Sequence, residues 1–508
     1  MRKRKAIINS AFSILLEVVT VISGFILPRL IIRTYGSDVN GLVSSIANFV
    51  GYITLLQSGV GSVAKAAMYK PLAENDRQKL YVIVKTVERF FRKIAAVTVA
   101  YIAVLSILFP TVIASESGTF LYTASLVVII GISTAAQYFF GITHQMLLEA
   151  DQRSYVYSVI QIAAVIVNTV LSVVLIKTGQ SIQVVKLGSA VIFILRPLVL
   201  SIYSNRKYKI DRSVGIDNSL IKQRWDGFAQ AIAYFIHSKT DVFVLTIFAT
   251  IRENISLGLV SVYSVYSMVT VGLTSFIKAI DRAVTAAIGN IIALGERENL
   301  IKTFNMYNTF MHMLCTAVFS TASITIFRFI GVYVKNVNDA EYIQYMFGAV
   351  IIAAEYLYCI RLPYNSVIYA AGKFRETRVS AAVEAAVNIV ISVILVNYLG
   401  LLGVAIGTFT AMAYRTISFI RYLSRDVLQF SVASQIKRYA ISVFTYSALI
   451  VGGSFVRIET PGFLAWTLYA GCVFAVTGVV NVAVNLLFAR ADTLAIFRTL
   501  INIKKKIK

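Results

Sequence analysis

The chain has 508 residues, of which 58% are hydrophobic and only 14% are charged. A soluble domain carries about 25% charged residues, so this composition excludes an ordinary soluble protein. Apolar runs of roughly 20 residues recur from end to end, and each is long enough to cross a bilayer as a helix. The net charge of +24 would suggest nucleic acid in a soluble protein. Here Lys and Arg held in loops on one side of a membrane explain it, so no nucleic-acid partner is expected.

The sequence predicts an all-α polytopic membrane protein with about fourteen transmembrane helices. The charged start, Met1–Lys5, resembles that of a signal peptide. The apolar run behind it is about 28 residues long, too long for a cleaved signal, so we interpret it as the first spanning helix. The approximate predicted spans are 6–34, 42–69, 81–109, 120–146, 155–176, 183–204, 226–249, 257–280, 303–331, 343–369, 379–397, 401–422, 439–455 and 463–488.

The distribution of basic residues predicts the orientation of these helices. If the chain starts in the cytoplasm and each helix crosses once, about 36 Lys and Arg lie on the cytoplasmic side and about 6 outside, among them Lys177 and Lys186. Both termini are then cytoplasmic. The predicted parts are an N-terminal lobe of six helices at 1–204, a cytoplasmic linker at 205–225, a C-terminal lobe of six helices at 226–422, a second cytoplasmic linker at 423–438, and two further helices with a basic cytoplasmic tail at 439–508.

An internal repeat supports the division into two lobes. With one constant shift along the sequence, Val167–Leu175 falls on Val387–Leu395, and the preceding turn Ala150–Arg153 falls on Ala370–Lys373. Both of the longer segments carry Asn at the second position and Ser at the sixth. Six helices separate equivalent points, so the two lobes would form a parallel pseudo-repeat, a transporter architecture in which substrate is bound where the halves meet.

Ionisable side chains inside the apolar runs are the candidate site residues. Each costs at least about 2.5–3.5 kcal/mol at bilayer depth, so it needs a partner, a water-filled cavity or a function. The basic candidates for binding substrate are Arg29, Lys65, Lys239, Lys278, Arg282 and Arg361. The acidic candidates for a coupling ion are Glu17, Asp241 and Glu355. A structural ion pair, a snorkelling side chain or an ordinary basic border is the alternative for each of them. Arg361 precedes Pro363 by two residues and is the first candidate, with Glu355 as its partner or as an ion site.

No metal site, cofactor or ATP site is expected. Cys315, Cys359 and Cys472 all lie in apolar runs, without disulfide or metal spacing, and are interpreted as small buried hydrophobic residues. The sequence contains no P-loop motif. A proton gradient, a sodium gradient or the membrane potential remains as the energy source.

Several motifs together carry a family resemblance. They are Tyr35–Leu42, Gln57–Gly61, Thr240–Phe243, Leu362–Tyr364, Ala370–Phe374, Glu384–Ile389 and Gly400–Thr408. In these segments the chain resembles the Wzx-type polysaccharide flippases of the MOP superfamily, which also holds the MurJ lipid II flippases and the MATE drug exporters. The resemblance covers nearly the whole chain, and it rests on the set of motifs rather than on any single one.

The resemblance implies a function. It implies a multi-pass protein of the bacterial plasma membrane that flips undecaprenyl-diphosphate-linked oligosaccharide from the cytoplasmic to the outer leaflet, for surface polysaccharide biosynthesis. Flipping would use alternating access around a cationic central cavity. The implied partners are the lipid-linked oligosaccharide and membrane lipids, and polymerase or ligase machinery stays open as a further partner. No enzymatic activity is implied.

Three alternatives stay open from the residues. A cation-coupled MATE-like exporter should show acidic residues in its cavity, whereas basic residues predominate in the predicted helices. A lipid II flippase shares the fold but would carry a denser run of charges in its first two helices. A membrane enzyme needs catalytic carboxylates or histidines on sizeable loops, and the predicted loops are short. The sugar, the polymer and the coupling ion are not specified by the sequence.

Overall fold

The computed structural model describes residues 2–112, 119–211, 213–217, 240–249, 251, 256–373, 376–456, 458 and 461–507. The predicted all-α class is confirmed, because regular structure in these residues is entirely helical. The helices are α1 Arg2–Tyr35, α2 Ser37–Gly51, α3 Leu55–Glu74, α4 Arg77–Val112, α5 Phe120–Ala136, α6 Ile142–Ala150, α7 Ser154–Lys177, α8 Ile182–Tyr208, α9 Thr240–Ala249, α10 Leu257–Ala293, α11 Arg297–Tyr333, α12 Tyr345–Ile360, α13 Leu362–Ala370, α14 Arg378–Leu399, α15 Leu401–Tyr422, α16 Val432–Ser454, α17 Phe463–Phe488 and α18 Arg490–Ile507.

Eleven segments of the described chain are long and apolar enough to cross a membrane, which makes this a multi-pass membrane protein. Predicted spans 401–422 and 463–488 match α15 and α17 to the residue. The predicted seventh span is described only from Thr240, as α9, since 226–239 lie outside the described residues. The exact count of fourteen crossings and the cytoplasmic termini stay predictions.

Two predicted cytoplasmic segments are more helical than expected. The region Lys278–Lys302 is helical except for a turn at 294–296, because its charges are set among alanines and other good helix formers. The predicted basic tail forms α18, which packs on α11 and α17. In addition, Cys472 is exposed on α17, whereas Cys315 and Cys359 are buried as expected.

The chain forms two compact units, Met1–Ser264 and Val265–Lys508, called here the N-terminal and C-terminal units. In the N-terminal unit α7 packs on α1 and α8, and α5 packs on α2, α4 and α8. A hydroxyl pair, Ser23 and Thr169 with oxygens 2.7 Å apart, joins α1 to α7. The predicted lobe boundary at 205–225 runs into residues outside the described part and stays a prediction.

In the C-terminal unit α11 is the central helix and contacts α12, α16, α17 and α18. His312 Nδ1 lies 2.8 Å from Ser442 Oγ of α16, and Thr321 Oγ1 lies 3.0 Å from Thr477 Oγ1 of α17. Polar contacts of this kind hold helices together inside a bilayer, where lipid is as apolar as leucine. The two C-terminal helices predicted beyond the second lobe therefore dock on α11.

The helix boundaries follow the predicted repeat. At the shift that places Val167 on Val387, the start of α4 at Arg77 falls on the start of α11 at Arg297, and α6 falls on α13. Helices α5 and α6 are separated by a π-helical turn that ends at Gly141. The same shift places Gly141 on Arg361, where α12 and α13 are separated. Each unit thus interrupts the same helix at the same point, and such interruptions are frequent at functional sites.

Candidate functional site: a charged cluster in each unit

A buried triad of charges occupies the helix break of the C-terminal unit. Arg361 Nη1 donates to Glu384 Oε1 at 3.2 Å, and Arg415 Nε lies 3.6 Å from Glu384 Oε2. Arg361 is only 4% exposed and Arg415 only 5%. Arg415 also donates to Ser380 Oγ at 3.1 Å. Glu384 of α14 is therefore a carboxylate that pairs with Arg361, and the role of Glu355 as its partner or as an ion site stays a prediction.

Two further predicted site residues, Lys278 and Glu355, lie beside this triad. Lys278 Nζ lies 4.7 Å from the centre of the Tyr358 ring, and Arg361 Cζ lies 5.3 Å from the same centre. Glu355, one turn before Tyr358, accepts a hydrogen bond of 3.2 Å from Thr274. We call Lys278, Glu355, Tyr358, Arg361, Glu384 and Arg415 the C-unit cluster. It holds three cations and two carboxylates, so it carries one net positive charge.

Among the predicted site residues of the C-terminal unit, the two accessible cations lie on α10. Lys278 is partly buried, whereas Arg282, one turn further along the same helix face, is exposed. Asp281, between them, accepts hydrogen bonds from Tyr307 at 2.6 Å and Ser366 at 2.5 Å. Because those two hydroxyls hold Asp281 at the packed side of the helix, Lys278 and Arg282 are the side chains that an anionic ligand could reach.

A polar chain in the N-terminal unit crosses the π-helical turn. We call Lys65, Gln137, Gln145, Glu149, Gln161 and Arg196 the N-unit cluster. Lys65 Nζ donates to Glu149 at 3.0 Å, and Gln145 donates to the other oxygen of Glu149 at 2.9 Å. Gln137 Nε2 lies 3.4 Å from Gln145 Oε1. Arg196 then donates to Gln137 at 2.7 Å and to Gln161 at 2.6 Å.

The N-unit cluster also carries one net positive charge, from two cations and one carboxylate. Its lysine was predicted, but Arg196 and Glu149 were not, nor were Glu384 and Arg415 of the other unit. The signal was present, since Arg196 and Arg415 stand in the apolar runs of the sixth and twelfth predicted helices. Their partners lie far away along the sequence, so only the fold assembles them.

Three further predicted site residues of the described chain lie outside the two clusters. Glu17 is exposed on α1, on the polar stripe that also carries Ser10, Ser13 and Thr20. Asp241 is buried and accepts a 2.9 Å hydrogen bond from Tyr263 of the same unit. Arg29 is partly buried on α1, directly after Pro28. Lys239 lies outside the described residues.

Comparisons with known proteins place the fold. No protein-family model matches the chain, and no curated protein matches it. Among solved structures it is similar to the lipid II flippase MurJ in an inward closed conformation, with a TM-score of 0.66 and 14% identity over 94% of this chain and 99% of that one. It is also similar to an inward-facing multidrug resistance MATE family transporter of the MOP superfamily, with a TM-score of 0.62 and 15% identity over 83% of this chain and 98% of that one.

A third similar structure is a MOP superfamily transporter from Pyrococcus furiosus, whose binding pocket is described as having reverse polarity. Its TM-score is 0.53, with 16% identity over 82% of this chain and 96% of that one. At these identities the likeness concerns the fold. The chain thus has the fold of MurJ and of the MATE transporters along most of its length.

Proposed function

We propose that this protein is a flippase for a lipid-linked, anionic substrate, namely an oligosaccharide carried on undecaprenyl diphosphate, and that it acts by alternating access in a bacterial plasma membrane. Two observations support the proposal: the likeness to MurJ and MATE structures, and the excess of cations in the charged cluster of each unit. The excess of cations is the observation that favours an anionic substrate. A diphosphate bears about two negative charges, and Arg and Lys are the side chains that bind such groups.

The side chains divide into two roles under this proposal. Lys278 and Arg282 are accessible and would contact the diphosphate. Arg361 and Arg415 are buried around Glu384, so they would position Tyr358 and Lys278 and add positive potential. Charged pairs inside the low-dielectric interior of a protein act over longer distances than exposed ones. The buried arginines are therefore positioning residues, and the two cations of α10 are the proposed binding residues.

The second candidate is a cation-coupled exporter of small molecules, favoured by the likeness to MATE structures. That function requires carboxylates that an organic cation can reach. In the described residues of the two clusters, each carboxylate is already engaged: Glu384 by two arginines, Glu149 by Lys65 and Gln145, and Glu355 by Thr274. The described geometry therefore favours an anionic substrate.

Flipping in proteoliposomes tests the proposal. The substrate is a fluorescent undecaprenyl-diphosphate oligosaccharide, and flipping is scored by quenching from the outside. We expect Lys278→Gln and Arg282→Gln each to weaken apparent substrate affinity about ten-fold to a hundred-fold, the effect of losing one charge-assisted hydrogen bond. The control is Lys177→Gln, at an exposed lysine that ends α7. Unchanged flipping in both α10 variants would refute the assignment of these residues, and export of an organic cation instead would refute the substrate class.

A further inference from the structure

A separate cavity lies entirely within the N-terminal unit. Its volume is about 320 Å³, and residues of α1, α2, α5, α7 and α8 line it. Much of its wall is apolar, including Leu27, Ile31 and Phe193. The polar side chains that line it are Thr54, Ser133, Thr134, Asn168, Ser172, Lys186 and Ser189. Lys186 brings the one charge among the lining residues, and the cavity shares no residue with the N-unit cluster.

Two of these polar side chains lack partners. Asn168 is only 6% exposed, and its Oδ1 atom accepts no hydrogen bond from the described residues. Among the same residues, no carboxylate lies near enough to Lys186 to form an ion pair. Buried amide oxygens in folded proteins are nearly always hydrogen-bonded, and a lysine inside a membrane protein is normally paired or faces a functional cavity. Both atoms therefore call for a partner that the described residues do not supply.

The repeat supplies an internal comparison. In the C-terminal unit the equivalent Asn388 donates from Nδ2 to Thr408 Oγ1 at 3.0 Å, although its Oδ1, like that of Asn168, accepts no hydrogen bond from the described residues. The shift that places Asn388 on Asn168 places Thr408 on Gly188, which has no side chain to offer to Asn168. The part of α15 that corresponds to Lys186 carries apolar residues, Ala405 and Ile406. The lysine is thus a feature of the N-terminal unit that the equivalent position of the repeat does not share.

We propose that this cavity binds a phosphate group. The ammonium of Lys186 supplies the opposite charge. Ser189 donates its hydroxyl hydrogen to the carbonyl oxygen of Val185 at 3.2 Å, so the hydroxyl of Ser172, 3.4 Å from that of Ser189, is the serine donor for a phosphate oxygen. Asn168 Oδ1 can only accept, so the ligand must also bring a donor, which is a protonated phosphate oxygen or a hydroxyl next to the phosphate. The apolar walls fit an amphiphilic ligand as well as a small one.

Two sources of such a group are compatible with this chemistry: inorganic phosphate from the aqueous phase, and the headgroup of a lipid such as phosphatidylglycerol. Titration of the delipidated protein in detergent with sodium phosphate, against sodium chloride of matched ionic strength, measures the first by calorimetry. Native mass spectrometry of protein from vesicles of phosphatidylglycerol and phosphatidylethanolamine measures the second. Neither assay depends on flipping, so failure of this proposal and failure of the proposed function are distinguishable.

We expect Lys186→Met to weaken binding of the occupant at least ten-fold, Lys186→Arg to retain most of it, and Lys177→Met to equal the parent. Without ligand, Lys186→Met should have a higher Tm than the parent, because it removes a charge that the protein leaves unpaired. If Lys186→Met does not fold, Asn168→Ala serves instead and should also weaken binding. Absence of both phosphate and phosphatidylglycerol binding in the parent, or equal binding by the parent and a folded Lys186→Met or Asn168→Ala variant, would overturn the proposal.

Discussion

Glu384 is one carboxylate paired with two buried arginines, so removing the carboxylate and removing one arginine should have different effects on stability. Replacing it by Gln leaves Arg361 and Arg415 next to each other, each about 5% exposed, with no carboxylate between them. Replacing Arg361 by Met instead leaves a neutral pair, since Arg415 Nε still lies 3.6 Å from Glu384. Removal of one carboxylate should therefore destabilise the C-terminal unit more than removal of one arginine.

The magnitude follows from the burial of the triad. Loss of one partner of a buried ion pair costs about 3–5 kcal/mol, because a charge is left in a medium that solvates it poorly. For a unit of 150–250 residues, 1 kcal/mol shifts Tm by about 2–4 °C, so Glu384→Gln should lower Tm by roughly 6–20 °C. The comparison variant Glu376→Gln removes an exposed pair with Lys373, 3.4 Å apart, and should cost at most about 1 kcal/mol.

Thermal unfolding in detergent, followed by intrinsic fluorescence, measures the difference. Trp466 reports on this unit, because its ring packs 4.9 Å from that of Phe329 on the central helix α11. We expect the order Glu384→Gln, Arg361→Met, Glu376→Gln, from the largest loss to the smallest. A loss for Arg361→Met as large as that for Glu384→Gln would refute the charge argument, and so would equal losses for Glu384→Gln and Glu376→Gln.

Two further predictions concern packing and the N-unit cluster. Gly403→Ala should lower Tm, because a Cβ atom there would clash with backbone atoms of Leu395. Gly471→Ala, with open space around it, should be neutral or gain up to about 1 kcal/mol. Equal Tm changes for the two variants would contradict this argument. Arg196→Met should lower the flipping rate at least ten-fold and lower Tm, because the side-chain oxygens of Gln137 and Gln161 lose their charged donor. If a folded Arg196→Met variant flips at the parental rate, the N-unit cluster has no role in transport.

Much of the fold could be predicted from the sequence because bilayer-length apolar runs leave the chain little choice but helices. The ends of α15 and α17 were predicted to the residue, since Gly400 and Gly462 immediately precede them. Pro363, two residues after Arg361, indicated the break between α12 and α13. The π-helical turn at 137–141 contains no proline, so the only sequence signal for it is its equivalence, through the repeat, to the break at Arg361.

The site could be predicted only in part. Lys278, Glu355 and Arg361 were identified because a charge in an apolar run is conspicuous, and they do lie together. Glu384 was not, although it stands within one of the quoted motifs, because its role depends on two arginines that lie on other helices. Hydropathy indicates that a charge needs a partner, but it does not identify which residue supplies it.

The environment of Lys186 could not be predicted from the sequence either. Because Lys186 lies near the outer end of a predicted helix, the sequence predicts it to be one of the external basic residues. In the structure it lines a cavity whose other lining residues come mainly from α1, α2, α5 and α7. No local pattern distinguishes it from Lys177, which is exposed at the end of α7.

The choice between an anionic and a cationic substrate is the central claim, and a substrate comparison with the parent protein tests it most directly. Proteoliposomes are loaded in parallel with undecaprenyl-diphosphate oligosaccharide, with the same oligosaccharide on an uncharged polyprenol ether, and with a fluorescent organic cation. The account predicts flipping of the diphosphate and at least ten-fold slower movement of the other two. Flipping of the uncharged lipid at the same rate, or export of the cation in its place, would contradict it.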